Sequence, residues 1–167
     1  MYACIYLMYV CISCRVDAHK KVETSKQDDI DDILKGMITH QGKVGVQEEG
    51  CAKLSKLGMN AENQVEIAKQ GGIVAILKGM IAHQVHAGVQ EAGCGALWNI
   101  SMNADNKVEI AKQGGIAAIL KGMIAHQGDA GVQEQGCVAL RNLGVNADNM
   151  VEIAKQGGIA AILKGMI

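Results

Sequence analysis

Proline and phenylalanine are both absent from the 167 residues, and the aromatic residues are limited to three Tyr and one Trp. The lack of proline argues against a Pro-rich linker. An excess of charge of one sign is also lacking, since 16 Lys and Arg oppose 17 Asp and Glu and the formal net charge is -1. Such a chain has no electrostatic footprint for nucleic acid or for an anionic membrane. We therefore expect neither nucleic acid nor a membrane as the partner.

Glycine and apolar residues are abundant instead, with 21 Gly and a hydrophobic fraction of 49%. That composition is typical of a globular chain with a sizeable core and argues against disorder. The six Cys do not indicate a disulfide scaffold, because the chain is longer than the small secreted domains that depend on one. We expect reduced thiols and a cytoplasmic protein, with the nucleus as the second compartment.

The chain opens on the apolar stretch MYACIYLMYVCISC. It lacks the positively charged start of a signal peptide and is too short to span a bilayer. We interpret residues 1–16 as a degenerate N-terminal helix, the worn end of a repeat, or as an artefact of the gene prediction. A targeting segment is the remaining interpretation.

Self-similarity is the most informative feature of the sequence. The motif GVQE-x-G-C recurs in steps of 43 residues, at 45–51, 88–94 and 131–137. In this register, residues 88–124 and 131–167 are identical at 30 of 37 positions. The divergent segment 22–41 aligns in the same way with 65–84. The chain is therefore an array of one structural unit that is copied several times.

Each unit carries three helical patterns and no strand-like alternation. The first helix follows an asparagine that can cap its start, at Asn60, Asn103 and Asn146. A Gly-Gly pair ends that helix, and the second helix has an apolar stripe that we predict to be buried, formed in one unit by Ile73, Ile76, Leu77, Met80 and Ile81. The third helix is predicted to run from Ala87 to Ser101, with an inner side marked by Val89, Gly93, Cys94, Leu97 and Ile100. No such helix could bury its apolar side alone, so neighbouring units must stack.

The run NADNKVEIAKQGGIAAILKGMIAH, together with the helix GVQEAGCGALWNIS, resembles the armadillo repeat. The resemblance covers residues 17 to 167, with weaker coverage of 2 to 16. It implies an all-α fold, an armadillo-type α-α superhelix that forms a right-handed solenoid of three-helix repeats with a period of 43. The expected units are a divergent repeat at 17–58, two full repeats at 60–101 and 103–144, and a partial repeat at 146–167 that lacks its third helix.

Armadillo arrays are protein-binding modules, and their third helices line a concave groove. In that family, an asparagine near the end of the third helix hydrogen-bonds the main chain of an extended peptide, and the matching residues here are Asn99 and Asn142. The matching position of the earlier unit is Lys56. The tryptophan that the family places four residues before the asparagine is replaced by Ala52, Gly95 and Val138. The resemblance thus implies a protein or extended peptide as the partner. The side-chain contacts to that partner would differ from those in the peptide-binding members of the family.

Residue chemistry adds to this prediction. An amide side chain can both donate to and accept from a peptide backbone, and Trp98 is of the type over-represented among binding hot spots. The basic side chains of Lys56 and Arg141 would favour acidic or phosphorylated segments of a partner. The predicted partner-binding residues are therefore Lys56, Trp98, Asn99, Arg141 and Asn142. Each of these residues also has a structural alternative. The Asn residues could satisfy their own helix ends and loops, and the tryptophan could pack on a neighbouring third helix. The two cations could be solvated surface charge.

Cysteine and histidine also recur at the 43-residue step, at Cys51, Cys94 and Cys137 and at His40, His83 and His126. Equivalent helices in neighbouring repeats lie roughly 8–10 Å apart. This distance exceeds the Cα–Cα limit of about 7 Å for a disulfide between two of the cysteines. It is also too wide for one metal ion to bind histidines from two neighbouring repeats. The Cys-x-x-Cys at 11–14 stands alone, and the aspartates at 28–32 lack the Gly and Glu of a calcium loop. We expect no metal, no cofactor and no catalytic residue.

The sequence is interpreted as a non-catalytic protein-protein interaction scaffold that binds a partner segment along the concave third-helix surface. One alternative is a targeting module of a larger enzyme, such as a ubiquitin ligase or a kinase, of which this chain is a fragment. Another is a structural segment that self-assembles, because the last unit ends without a third helix and an open stacking face is an apolar patch.

Overall fold

The computed structural model describes residues 27–165. Ten helices joined by short turns make up this range, and no strand occurs within it, which confirms the predicted all-α class. The helices are α1 (Gln27–Thr39), α2 (Val44–Leu57), α3 (Ala61–Lys69), α4 (Gly72–Ala82), α5 (Ala87–Ile100), α6 (Ala104–Lys112), α7 (Gly115–Ala125), α8 (Ala130–Leu143), α9 (Ala147–Lys155) and α10 (Gly158–Gly165). The predicted degenerate helix at 1–16 and the Cys-x-x-Cys at 11–14 lie outside the described residues.

The helices are of three types that alternate along the chain. The first helices are α3, α6 and α9, the second helices are α1, α4, α7 and α10, and the third helices are α2, α5 and α8. The second helices pack one beside the next in chain order, and so do the third helices. Helices of one type thus lie as neighbours, each one 43 residues after the last.

An asparagine caps each first helix, as the sequence predicts. The Oδ1 atom of Asn60 accepts hydrogen bonds from the backbone N–H groups of Glu62 at 2.9 Å and Asn63 at 3.1 Å. Asn103 and Asn146 cap the next two first helices through the same oxygen. These bonds satisfy backbone donors that have no partner within the helix.

A glycine in the left-handed conformation separates each first helix from the second. Gly71, Gly114 and Gly157 have φ angles of 80°, 82° and 79°. Residues with a Cβ rarely adopt such an angle. The chain therefore turns sharply at this corner, and the second helix packs back on the first.

The second helices bury most of the predicted stripe. Ile73 and Met80 are each 1% exposed, but Ile81 is 66% exposed, so the prediction was wrong for that residue. At about 100° per residue, Ile81 lies roughly 80° around the helix from Ile73, close to Val74 at about 100°. The end of the stripe therefore turns toward the exposed side of the helix.

The third helices approach the second helices closely through glycine, and all five residues predicted to mark the inner side of α5 are buried. A Cβ atom at Gly93 would lie 2.5 Å from Cγ of Met80. A Cβ at Gly136 would lie 2.6 Å from Cγ of Met123, and Gly50 faces Met37 in the same way. The methionine side chain of each second helix thus fills the space that a side chain on the third helix would need.

Polar bonds also join consecutive units. Nδ2 of Asn106 donates to the Gln64 carbonyl oxygen at 2.9 Å. Nε2 of His83 lies 2.6 Å from the carbonyl oxygen of Gln41, and His126 contacts Gln84 at 2.8 Å. Since a carbonyl can only accept, the proton of each bond belongs to the histidine. His83 and His126 therefore each connect their own unit to the preceding one.

Candidate partner-binding surface

Three positions of each third helix are at least partly exposed and form what we call the third-helix face. They are Glu48, Ser55 and Lys56 on α2, Glu91, Trp98 and Asn99 on α5, and Glu134, Arg141 and Asn142 on α8. The spacing i, i+7, i+8 keeps them on one side of a helix, and α5 packs between α2 and α8. All five residues predicted to bind a partner therefore lie on one surface.

The amide groups of the two asparagines are engaged within the array. Nδ2 of Asn99 donates to the carbonyl oxygen of Ser55 at 2.9 Å and to its Oγ at 3.0 Å. Nδ2 of Asn142 donates to Oγ of Ser101 at 2.7 Å and contacts the carbonyl oxygen of Trp98 at 3.4 Å. Each asparagine thus joins its third helix to the preceding one.

The oxygen atoms of these amides remain open. Within residues 27–165, Oδ1 of Asn99 and Oδ1 of Asn142 accept no hydrogen bond, and both side chains are half-buried. An amide oxygen is an acceptor only. The pair can therefore accept from a ligand, while their donors are already used between third helices.

Trp98 is half-buried and packs against the hydrophobic core. Its indole Nε1 is buried and has no acceptor among the described residues. A buried indole N–H usually finds a partner. Part of the ring remains accessible at the centre of the third-helix face, so packing and partner contact are compatible for this residue.

Lys56 and Arg141 lie on the two third helices that flank the helix of Trp98. Both side chains are exposed, and neither forms an ion pair within residues 27–165. Lys53, one turn before Lys56, is instead paired with Glu49 at 2.7 Å. The two cations are therefore available to a ligand on either side of the tryptophan.

A row of carboxylates on the same face was not among the predicted site residues. Glu48, Glu91 and Glu134 are exposed and recur every 43 residues. A Cβ at Gly88, in the first turn of α5, would lie 2.7 Å from Oε1 of Glu48, and Gly131 of α8 faces Glu91 similarly. A carboxylate is favoured beside a helix N-terminus. The recurrence of glutamate in GVQE was the signal that could have revealed this row.

The recurring thiols belong to the core rather than to the surface. Cys51 and Cys94 are fully buried and free of disulfides, and Cys137 is half-buried. Burial raises the pKa of both the Cys51 and Cys94 thiols to about 12. A thiol with so high a pKa is a poor nucleophile and a poor metal ligand near neutral pH.

Other polar clusters have structural explanations. Asp31, in the aspartate cluster, pairs with Lys35 at 2.6 Å one turn along α1. The rings of His83 and His86 lie 5.9 Å apart at a tilt of 58°. Between residues 27 and 165, no group of three or more His, Cys, Asp or Glu side chains is arranged to hold a metal ion.

Two further observations bear on the predicted partners. In the part of the chain that the structure describes, no helix has both the length and the apolar character needed to cross a membrane. On α10, Ile159 is 60% exposed and Leu163 is 50% exposed, whereas the corresponding Ile116 and Leu120 of α7 are buried. Self-association through α10 stays a prediction.

Comparison of the chain with protein-family models, with curated proteins and with solved structures finds no significant match.

Proposed function

We propose that this protein is an armadillo-like α-solenoid that acts as a non-catalytic scaffold and binds a segment of a partner protein along the third-helix face. The observation that carries the proposal is the packing of α2, α5 and α8 side by side, with the same three positions of each helix at least partly exposed. Stacked repeats of this kind offer an extended surface on which one ligand can contact several units.

The chemistry of the face suggests how a ligand would be held. Half-exposed Trp98 is the central apolar anchor, and such anchors carry most of the binding energy at interfaces. Around it lie the two open Oδ1 acceptors of Asn99 and Asn142, which suit backbone N–H groups of an extended segment. Because neighbouring helices are roughly 8–10 Å apart and extended chain rises about 3.3 Å per residue, about six residues would span the three third helices.

The charges favour a ligand of mixed sign. Lys56 and Arg141 can pair with acidic or phosphorylated side chains, whereas Glu48, Glu91 and Glu134 at the other end of the third helices can pair with basic ones. An extended segment that crosses the helices would therefore place its acidic and basic residues toward opposite edges of the face. We expect such a scaffold to act in the cytoplasm or the nucleus, as its resemblance to armadillo arrays implies.

The proposal is tested by partner capture. The full chain is immobilised in native extract, and the recovered proteins are quantified by mass spectrometry for the unchanged protein, Trp98→Ala and Arg141→Glu. Lys121→Ala is the matched control, since Lys121 is exposed on the second helix α7. We expect the two variants on the third-helix face to lose the same partners and the control to retain them. Equal recovery by Trp98→Ala would show that this surface is the wrong one.

A further inference from the structure

The second helices expose isoleucine and lysine side chains at recurring positions. On α4, Val74, Lys78 and Ile81 follow the spacing i, i+4, i+7 and therefore lie on one side of the helix. Val74 is 40% exposed and Ile81 is 66% exposed. The counterparts of Ile81 in the neighbouring second helices, Ile38 and Ile124, are 60% and 57% exposed. Rows of exposed isoleucine and lysine thus run across the second helices.

A groove lies between two of these helices, α1 and α4. It forms a surface cavity of about 280 Å³ that is partly open to solvent and is lined on its apolar side by Met37, Ile38, Val74 and Ala75. Its polar lining comes from Gln41, Gln47, Gln70 and Lys78. A concave apolar site with a few polar groups is the usual form of a binding pocket. The cavity is large enough to receive apolar side chains from a partner.

The charge beside this groove is uncompensated. Lys78 is the only charged residue of α4, and Lys121 is the only one of α7. Within the described range, neither lysine forms an ion pair, whereas Lys35 of α1 is held by Asp31. An apolar groove bordered by an unpaired cation is complementary to a ligand that joins an apolar surface to a carboxylate.

We propose that the groove between α1 and α4 binds an amphipathic helix of a partner protein, whose apolar stripe enters the cavity and whose Asp or Glu, one turn away, pairs with Lys78. An α-helix places side chains at i, i+3, i+4 and i+7 on one face, so it can offer apolar anchors and a neighbouring carboxylate together. This site is separate from the third-helix face and does not depend on its function.

The proposal is tested with a displayed library of helical peptides. The library fixes leucine at i, i+3, i+4 and i+7, randomises the flanking positions, and is selected against the full chain. We expect Asp and Glu to be enriched at the flanking positions. Fluorescence polarisation with a selected peptide then gives Kd for the variants. Ile38→Ser and Lys78→Glu should each weaken binding by about tenfold or more.

The matched controls are Ile124→Ser, an equally exposed isoleucine two units away, and Trp98→Ala on the third-helix face, which should leave Kd unchanged. A peptide whose acidic residues are exchanged for lysine should bind Lys78→Glu better than the unchanged protein. Circular dichroism establishes that each variant is folded. The proposal is overturned by enrichment without an acidic preference, or by binding that is insensitive to both Ile38→Ser and Lys78→Glu.

A flotation assay distinguishes a lipid surface as the occupant. The same proteins are mixed with vesicles of phosphatidylserine and phosphatidylcholine. The proposal expects no flotation that depends on Lys78. Vesicle binding that Lys78→Glu abolishes, with no peptide selected to the groove, would assign the face to an anionic membrane and would overturn the helix-binding proposal.

Discussion

Asn99 on α5 donates its side-chain amide to both the carbonyl oxygen and the hydroxyl of Ser55 on α2, at 2.9 and 3.0 Å. The two residues are 44 positions apart, so the bond joins third helices of consecutive units. The asparagine that the resemblance predicts to bind a ligand therefore joins consecutive units of the array.

Replacing Asn99 should cost stability. Asn99→Ala removes both hydrogen bonds of Nδ2 and leaves the Ser55 carbonyl without this partner, so we expect the free energy of unfolding to fall by about 1–2 kcal/mol. The matched control is Lys56→Ala, at the same position of the preceding unit, where the side chain is exposed and forms no ion pair. Urea denaturation followed by circular dichroism measures both variants. If Asn99→Ala is as stable as Lys56→Ala, the amide has no structural role.

Two glycines in helices should respond oppositely to alanine. At Gly93, an added methyl group would overlap Met80, so we expect Gly93→Ala to destabilise the protein by about 1–3 kcal/mol. At Gly36, inside α1, no atom of residues 27–165 outside the helix's own backbone lies within 4 Å of the added Cβ, so Gly36→Ala should stabilise the protein by about 0.5–1 kcal/mol. Thermal melts of the two variants test this pair. A rise in midpoint for Gly93→Ala would show that Met80 moves aside without loss of packing.

The sequence predicted those features that depend on nearby residues. The caps at Asn60, Asn103 and Asn146 bond groups two or three residues away, and the Gly-Gly corners act on their own backbone. The buried stripe was also readable, because helical periodicity alone determines which residues share a side. Its error was at Ile81, which lies at the edge of the stripe, where a small rotation decides between core and surface.

Features that join different units could not be predicted from local patterns. The bond from Asn142 to Ser101 and the position of Glu48 beside Gly88 arise only when third helices stack in one particular register. The 43-residue period indicates that units stack, but it does not say which atoms meet. The sequence therefore predicted that the five site residues share one face. It could not predict which groups the amides of Asn99 and Asn142 would bond, because that depends on the packing.

Gln90 binds the end of a second helix and should be essential for stability. Its Nε2 donates to the carbonyl oxygen of Met80 at 2.8 Å and to that of His83 at 3.1 Å, and the residue is 1% exposed. These carbonyls lie at the C-terminal end of α4, where the helix supplies no donor. Gln90→Leu keeps the volume but leaves the buried Met80 carbonyl without a donor, whereas the His83 carbonyl keeps the backbone N–H of His86. We therefore expect a loss of about 1–3 kcal/mol.

Gln84→Leu is the control for this prediction, because Gln84 is exposed and its bond with His126 uses the backbone carbonyl. Its effect should stay within about 0.5 kcal/mol. Both variants are compared by urea denaturation. An equally small effect for Gln90→Leu would mean that water or a shift of α4 replaces the lost donor.

The buried thiols predict a loss of stability in alkaline solution. Burial raises the pKa of Cys51 and Cys94 from 9.0 to about 12. Below pH 9 both thiols are protonated whether the chain is folded or unfolded, so their contribution is fully present. Above pH 9 the unfolded chain releases these protons while the folded chain keeps them, and the free energy of unfolding must fall until the pH reaches about 12.

The loss should be on the order of 1 kcal/mol per thiol by pH 10. We would measure urea unfolding at pH 8 and pH 10 for the unchanged protein and for the double variant Cys51→Ala, Cys94→Ala. The variant is expected to be less stable at pH 8, because it lacks two buried side chains, but to lose less on going to pH 10. Lysine and tyrosine ionise in both proteins alike, so the difference between the two pH responses isolates the thiols. Identical pH responses would show that the folded state admits the thiolates, and the two cysteines would then be accessible to solvent rather than part of a dry core.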